Sequence, residues 1–218
     1  MIETTTINFG MVNAFLIKGE NGFILIDTGI PPLISKLEKE LRKAGCTKDD
    51  LKLVIITHGD MDHVGNAITL REKYNAKIAI HEADYPMVRD GKPLKRAATG
   101  FIWKLMSRAG EKPGDPNPAF EVDLFLTDGQ RLDEFGLAAR IIHTPGHTPG
   151  SISILTDDGQ LFCGDIFANR RSPSLAPLIE NSEQILASLQ KIKQAQPKII
   201  FPGHGKPFFG VALEDIKA

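Results

Sequence analysis

The chain has 218 residues, of which 42% are hydrophobic and 24% are charged; this composition is typical of a folded globular protein and excludes a disordered one. Its 26 Lys and Arg residues nearly balance 27 Asp and Glu residues, for a formal net charge of −1 at pH 7. Overall charge therefore gives no reason to expect nucleic acid or an anionic membrane as a partner. A chain of this length is expected to form a single domain, residues 1–218.

Strands and helices are predicted to alternate along the first part of the chain. Short apolar runs separated by glycines indicate strands, and apolar residues recur every three or four positions after Pro31 and Pro32, as on one face of a helix. Proline is tolerated in the first turn of a helix, where its missing N–H needs no partner. The predicted strands cover residues 4–9, 12–18, 22–27, 51–57 and 77–80, and the predicted helices cover about 31–44 and 65–73.

The middle of the chain, residues 82–120, departs from this alternation and is predicted to be a helical insertion. Residues 96–108 fit a helix, and the proline-rich residues 112–118 form a loop with no regular pattern. Two interpretations are open: helices packed on the domain, or a lid over the functional site. Beyond the insertion, strands are predicted at 130–132, 138–143, 151–155, 160–163 and 198–201, and a helix at 182–194.

The densest cluster of chemically active side chains follows the predicted strand 51–57. Two imidazoles and two carboxylates occur within the run His58-Gly59-Asp60-Met61-Asp62-His63. Imidazole nitrogen and carboxylate oxygen are both ligands of Zn²⁺ and other divalent ions. His58 and Asp60 are two residues apart, so an extended backbone would direct them to the same side. Asp62 and His63 are adjacent and would serve different ions. The loop is therefore predicted to bind metal.

Further motifs follow in a fixed order along the chain. With residues 57–65, the segments 26–29 (Ile-Asp-Thr-Gly), 143–150 (His-Thr-Pro-Gly-His-Thr-Pro-Gly), 162–165 (Phe-Cys-Gly-Asp) and 202–205 (Pro-Gly-His-Gly) resemble the metallo-β-lactamase superfamily. That family's signature is a His-x-His-x-Asp-His loop followed by a distant His, an Asp and a final His. The resemblance extends from Asp27 to His204, which is nearly the whole chain.

The resemblance implies a mixed α/β (α+β) fold, a four-layer αββα sandwich with a two-metal site along one edge of its sheets. Asp27 would orient the site from behind the metal ligands, as carboxylates commonly do for metal-bound imidazole. Asp165 would bridge the two ions. The ligands implied for the first ion are His58, Asp60 and His147, and those implied for the second ion are Asp62, His63 and His204.

Asp60 departs from the family pattern, because it stands where the signature has a second histidine and gives His-x-Asp-x-Asp-His. This third carboxylate adds negative charge and is expected to weaken the ions as Lewis acids. Oxygen ligands also favour Mn²⁺ or Fe²⁺ more than an all-imidazole site would. Two divalent ions are expected, with Zn²⁺ first and Fe²⁺ or Mn²⁺ as alternatives. If the Asp60 carboxylate were too short to reach, the first ion would be weakly bound or absent.

The implied activity is metal-dependent hydrolysis of a small ester, thioester, lactone or phosphoester. Two ions roughly 3.5–4 Å apart generate hydroxide at neutral pH and polarise a substrate oxygen. Asp62 is predicted to orient that hydroxide and to accept its proton. A small-molecule substrate is expected, and neither nucleic acid nor membrane. Two alternatives stay open: an iron-dependent oxidoreductase of the same fold, of di-iron or persulfide-oxidising type, and a non-catalytic metal-binding module.

The remaining features indicate a cytoplasmic chain. Residues 1–4 contain no basic segment leading into an apolar one, so no signal peptide is predicted. The longest apolar stretches have the length of strands, not the roughly 20 residues of a membrane-spanning helix. Cys46 and Cys163 are too few for a disulfide framework. His81, His143 and Cys163 match no ligand position and are predicted to be structural.

Overall fold

The computed structural model describes residues 2–92, 97–98 and 119–216. Its strands are β1 (Thr4–Asn8), β2 (Asn13–Gly19), β3 (Gly22–Ile26), β4 (Leu51–Ile55), β5 (Lys77–His81), β6 (Ala97–Ala98), β7 (Leu124–Leu126), β8 (Ala139–His143), β9 (Ile152–Thr156), β10 (Gln160–Phe162), β11 (Phe167–Asn169), β12 (Ser174–Leu175), β13 (Leu178–Ile179), β14 (Ile199–Phe201), β15 (His204–Gly205) and β16 (Phe208–Phe209). Its α-helices are α1 (Ile34–Lys43), α2 (Met61–Val64), α3 (Ala67–Tyr74), α4 (Tyr85–Asp90) and α5 (Ser182–Ala195). Short 3₁₀ turns occur at Pro31–Leu33, Glu82–Asp84, Asp133–Phe135 and Gly210–Asp215.

Two large sheets form the centre of the fold. The first has the strand order β1-β2-β3-β4-β5-β7, and its strands from β3 onward are parallel. The second has the order β16-β14-β10-β9-β8, in which only β10 and β14 pair in parallel. A three-stranded sheet, β12-β11-β15, and the antiparallel pair β6–β13 accompany them. Among the helices of the described residues, none combines the length and apolar character that crossing a bilayer requires.

The apolar residues divide into three layers of core, because successive side chains of a strand point to opposite faces of its sheet. Between the sheets, residues of β2, β3 and β4 pack against residues of β8, β9 and β10; they include Phe15, Ile26, Ile55, Ile141, Ile154 and Phe162. On the outer face of the first sheet, α1 and α3 contribute Leu37, Leu41, Leu70 and Tyr74. On the outer face of the second sheet, α5 contributes Ile185, Leu189 and Ile192. The predicted four-layer αββα sandwich is confirmed.

One local prediction was wrong, and another falls mostly outside the described residues. The strand predicted at 130–132 is reduced to a single bridge between Arg131 and Arg140. One edge of the first sheet is formed by β7, where no strand was predicted. This strand has only three residues, and Phe125 in its middle is 46% exposed, so the apolar pattern did not identify it. The helix predicted at 96–108 falls outside the described residues except at β6, which is a strand paired with β13. The predicted insertion does begin with a helical turn and α4.

The candidate site lies at one edge of the sandwich, where parallel strands of both sheets end. Hydrogen bonds connect the two sheets here, since the Ile152 N–H donates to the Thr57 carbonyl at 2.9 Å and the Asn13 N–H donates to the Gly203 carbonyl at 2.8 Å. Loops at this edge are therefore held at fixed separations by the sheets beneath them. Four predicted site residues follow strands directly or within three positions: Asp27 after β3, His58 after β4, Asp165 after β10 and His204 after β14.

Candidate metal centre

Four imidazole rings meet at this edge, and the Nδ1 atom of each ring contacts an oxygen outside the cluster. Each Nδ1–H can donate to that oxygen, which directs Nε2 into the site, where it can bind a cation once it carries no proton. The four rings are therefore oriented as metal ligands before any ion binds. The contacts are His58 to Thr57 Oγ1 at 3.0 Å, His63 to Asp27 Oδ2 at 2.8 Å, His147 to the Leu178 carbonyl at 2.5 Å and His204 to the Met11 carbonyl at 2.6 Å.

Asp27 is fully buried behind the cluster and organises two of these rings. Its carboxylate accepts hydrogen bonds from the Thr57 N–H and hydroxyl, each at 2.8 Å, and from His63 Nδ1. Because the Thr57 hydroxyl donates to Asp27, it can accept from His58 Nδ1. Asp27 has a φ of 59°, a left-handed conformation that aspartate tolerates better than most residues. It thus occupies the orienting position that the resemblance implies.

A first group of ligand atoms forms around His58 and His147. One atom from each, together with an oxygen of Asp165, lies within 4.8 Å of the others. Asp60, which immediately precedes α2, places Oδ2 3.3 Å from His58 Nε2 and 3.1 Å from His147 Nε2. The aspartate that replaces the family's second histidine therefore reaches this group.

A second group consists of Asp62, His63 and His204, whose ligand atoms also lie within 4.8 Å of one another. The expectation that the adjacent Asp62 and His63 would serve different ions was therefore wrong. Asp165 lies between the two groups: Oδ1 is 3.5 Å from His63 Nε2, and Oδ2 is 3.0 Å from His204 Nε2 and 3.9 Å from His147 Nε2. Gly203 makes this approach possible, because a Cβ there would collide with Asp165 and come within 2.7 Å of His63. The seven predicted ligands are all brought together.

The residues fit divalent cations. Within the described part of the chain, His58 Nε2, His63 Nε2 and Asp165 Oδ1 are buried and have no hydrogen-bond partner. A buried polar atom without a partner costs about 1–3 kcal/mol, so native structures rarely leave one unexplained. These three atoms belong to the candidate ligands and are of the types that bind Zn²⁺, Fe²⁺ and Mn²⁺; the one other such atom among the described residues, Arg71 Nε, is not part of the site.

The charges of the site attract cations. Burial opposes protonation of His63, but the carboxylates of Asp27 and Asp165 outweigh it and raise its pKa to about 9. Burial likewise opposes protonation of His204, yet Asp165 and Asp62 raise its pKa to about 11. Burial alone would raise the pKa of Asp165, but His204 and His63 hold it well below its ordinary value. Without metal, protons occupy ring nitrogens that a divalent cation would otherwise bind.

Comparison with known proteins identifies the family. A family model for the metallo-beta-lactamase superfamily matches residues 7–204. The chain belongs to the metallo-beta-lactamase superfamily. The match includes every residue of the candidate metal centre, from Asp27 to His204.

Relatives of this metallo-beta-lactamase superfamily chain occur in bacteria and archaea. The probable metallo-hydrolase YflN of Bacillus subtilis is 27% identical, over 87% of this chain and 78% of its own length. The probable metallo-hydrolase MJ0888 of Methanocaldococcus jannaschii is 30% identical, over 89% of this chain and 87% of its own length. Among solved structures, TTHA1623 in a di-iron-bound form superposes with a TM-score of 0.69 and 26% identity, covering 96% of both chains.

Solvent reaches the candidate metal centre on the side of Asp62. Its side chain is 35% exposed, whereas the side chains of the other six candidate ligands are 13% exposed or less. Two further residues border the neighbouring His204: Arg170 places Nη2 3.2 Å from His204 Nδ1, and Met11 has a side chain that is 73% exposed. Among the candidate ligands, Asp62 is therefore the one most open to solvent.

The sequence did not reveal three hydrogen-bond acceptors around the candidate metal centre. The carbonyls of Leu178 and Met11, which orient His147 and His204, have no signature in the sequence because any residue supplies a carbonyl. Asp84 is fully buried beside the loops that carry the ligands. Its only sequence signal was a carboxylate four residues after the predicted strand 77–80.

The histidines and cysteine that match no ligand position belong to neither group of candidate ligand atoms. His81 and His143 stack on each other, with ring centroids 4.0 Å apart and an interplanar angle of 6°. Cys163 is buried, and this burial raises the pKa of its thiol well above the ordinary value. The burial of Cys163 agrees with the core position predicted for it, and the structural roles of His81 and His143 stay predictions.

Proposed function

We propose that this chain is a hydrolase that binds two divalent cations and cleaves a small ester, thioester, lactone or phosphoester. The observation that carries the proposal is the convergence of four imidazole Nε2 atoms with three carboxylates while each Nδ1 is held from outside. Burying this set of polar atoms without cations would be costly. The description of two relatives as probable metallo-hydrolases supports the proposal.

The proposal gives each residue of the centre a role. When bound, the two cations lower the pKa of a water and polarise the substrate oxygen. Asp62, the ligand most open to solvent, orients the attacking water and accepts its proton. Cys163 is not a nucleophile in this scheme, because burial keeps it as a thiol. The proposed ligands are His58, Asp60 and His147 for the first cation, Asp62, His63 and His204 for the second, and Asp165 for both.

We propose Zn²⁺ as the bound ion and Asp60 as the residue that sets metal preference. In Asp60→His, an imidazole replaces a carboxylate that lies within 3.3 Å of two histidine nitrogens. Imidazole favours Zn²⁺ over Mn²⁺ more strongly than carboxylate does. We expect the ratio of Zn²⁺ to Mn²⁺ affinity to rise at least about tenfold, the lower end of the effect of altering a partner of a metal ligand. Competitive metal titration measures this ratio.

Asp133→His serves as the control for this substitution. It introduces the same imidazole at an exposed surface aspartate that pairs with Arg131, and it is expected to leave the ratio unchanged. An unchanged ratio in Asp60→His would show that Asp60 does not set metal preference.

An iron-dependent oxidoreductase is the second candidate. It is favoured by the di-iron-bound form of TTHA1623, 26% identical over 96% of both chains, and by the oxygen ligand that Asp60 adds. Iron in the purified chain together with thiol-dependent oxygen uptake would place this candidate first.

The decisive experiment is elemental analysis of protein purified without added metal, followed by a hydrolysis panel. The panel contains an aryl ester, a thioester, a lactone and a phosphodiester. We expect two ions per chain and turnover of at least one substrate, abolished by a chelator and restored by Zn²⁺. A chain that binds two ions but hydrolyses none of these bonds would favour a non-catalytic metal-binding module, and a chain that binds no divalent ion would refute the proposal.

A further inference from the structure

Asp84 joins the two loops that surround the first group of ligands. It ends the 3₁₀ turn after β5 and is fully buried. Its Oδ2 accepts a hydrogen bond from the Gly59 N–H at 2.9 Å and another from the Thr148 hydroxyl at 2.7 Å. Its Oδ1 accepts from the Gly150 N–H at 2.6 Å. One carboxylate thus holds three donors from two segments that are distant in sequence.

The bonded residues are immediate neighbours of candidate ligands. Gly59 lies between His58 and Asp60, and Thr148 directly follows His147. A displacement of either loop would therefore change the distance of 3.1 Å that connects Asp60 Oδ2 to His147 Nε2.

The geometry around Asp84 is closely packed and leaves its donors few alternatives. The Thr148 N–H donates to Ser151 Oγ at 3.1 Å, and the two hydroxyl oxygens are 2.7 Å apart, so the Ser151 hydroxyl can donate to Thr148 while Thr148 donates to Asp84. Gly150 allows the approach, because a Cβ there would lie 2.5 Å from the Asp84 nitrogen and 2.7 Å from its Cβ. The Asp84 carboxylate therefore packs tightly against the loop that follows His147.

We propose that Asp84 is a positioning residue for the first cation, which it affects by fixing the separation of the His58–Asp60 loop from the His147 loop. This inference rests on the proposed two-cation function. Asp27 contacts His63 directly and so acts on the second group as well as on His58, whereas the bonds of Asp84 reach only loops of the first group. In this proposal Asp27 orients the His63 and His58 rings, and Asp84 fixes the separation of the two loops around the first group.

The substitution Asp84→Asn tests the proposal with almost no change in volume. An asparagine side chain has one acceptor oxygen and one donor nitrogen. Its nitrogen must therefore oppose either the Gly150 N–H, or the Gly59 N–H together with the Thr148 hydroxyl. We expect the affinity for one of the two Zn²⁺ ions to fall about 10–100-fold, as for loss of an outer partner of a metal ligand. The affinity for the other ion should stay within about threefold.

The readout is Zn²⁺ titration against a competing chelator, with the visible absorption spectrum of the Co²⁺-substituted protein as a second measure of ligand geometry. Asp158→Asn is the matched control: Asp158 also accepts several hydrogen bonds, from Ile2, Thr156 and Gln160, but it lies outside the centre. It should leave both affinities and the spectrum unchanged. Both affinities unchanged in Asp84→Asn, or both lowered equally, would overturn the inference.

Thr148→Val provides a second variant in case Asp84→Asn does not fold. It removes only the hydroxyl that donates to Asp84 and keeps the shape of the side chain. We expect a smaller loss of affinity for the same ion, and no change would overturn the inference. If the unsubstituted chain binds no Zn²⁺, the proposed function itself fails; if it binds two ions and the variants do as well, only the role of Asp84 fails.

Discussion

Replacing Asp62 with asparagine is expected to lower kcat by about 10²–10⁴-fold in protein loaded with metal, the usual effect of removing a general base. Asp62 is 35% exposed, and its oxygens lie 3.4 Å from His204 Nε2 and 3.9 Å from His63 Nε2. It therefore faces both the ligands and the solvent from which water and substrate arrive. Asparagine keeps the size of the side chain and one carbonyl oxygen but cannot accept a proton. Steady-state kinetics at saturating metal measures the change.

Two comparisons separate loss of the base from loss of metal. Metal content is determined on the same sample, and the variant is assayed at metal concentrations that restore two ions per chain. Asp158→Asn, remote from the centre, should keep the kcat of the unsubstituted chain. If metal-loaded Asp62→Asn turns over at nearly the unsubstituted rate, Asp62 is a ligand alone and another group accepts the proton.

The layers of the fold could be predicted because they depend on strong periodicity. The apolar run of β4 supplies residues to the core on both faces of its sheet, and the repeated leucines of α1 bury one face of that helix. The candidate ligands could be placed because their side chains carry the chemistry themselves. Their convergence required only that parallel strands end at a common edge.

Other parts of the centre lie beyond sequence reasoning because their contribution depends on contacts between distant segments. The Leu178 carbonyl orients His147 because β13 passes beside it, and nothing in the sequence of residues 174–181 indicates this. Asp84 belongs to a segment predicted as part of an insertion, where a carboxylate would ordinarily be solvated. Its burial follows from two glycines, Gly59 and Gly150, whose amide groups approach it from separate loops. Only the assembled fold reveals such partners.

The charge balance of the centre links these features to its chemistry. Three carboxylates from Asp60, Asp62 and Asp165 face four imidazoles in a largely buried space. Against the effect of burial, Asp27 and Asp165 raise the pKa of His63 to about 9, and Asp165 and Asp62 raise the pKa of His204 to about 11. Divalent cations would displace these protons, so binding at neutral pH is accompanied by proton release.

Replacing Asp165 with asparagine is expected to have the largest effect of any single substitution. Asp165 lies within 4 Å of His63, His147 and His204, and its Oδ1 is buried without a hydrogen-bond partner among the described residues. We expect the affinity for at least one Zn²⁺ ion to fall by more than about 100-fold, beyond the range for loss of an outer partner. Hydrolysis should be lost with it, because the remaining ion cannot act as half of a two-metal clamp.

Zn²⁺ titration and elemental analysis measure this loss, and the metal-free protein offers an independent readout. Burial lowers the pKa of His204 and Asp165 is the leading charge that raises it to about 11, so Asp165→Asn should move that pKa downward in an NMR titration. Asp158→Asn should change neither quantity. Two tightly bound ions in Asp165→Asn would show that Asp165 is not required to bind both of them. An unchanged pKa of His204 would show that another carboxylate raises it. If both quantities change together, a single buried side chain both attracts the cations and holds the two halves of the centre together.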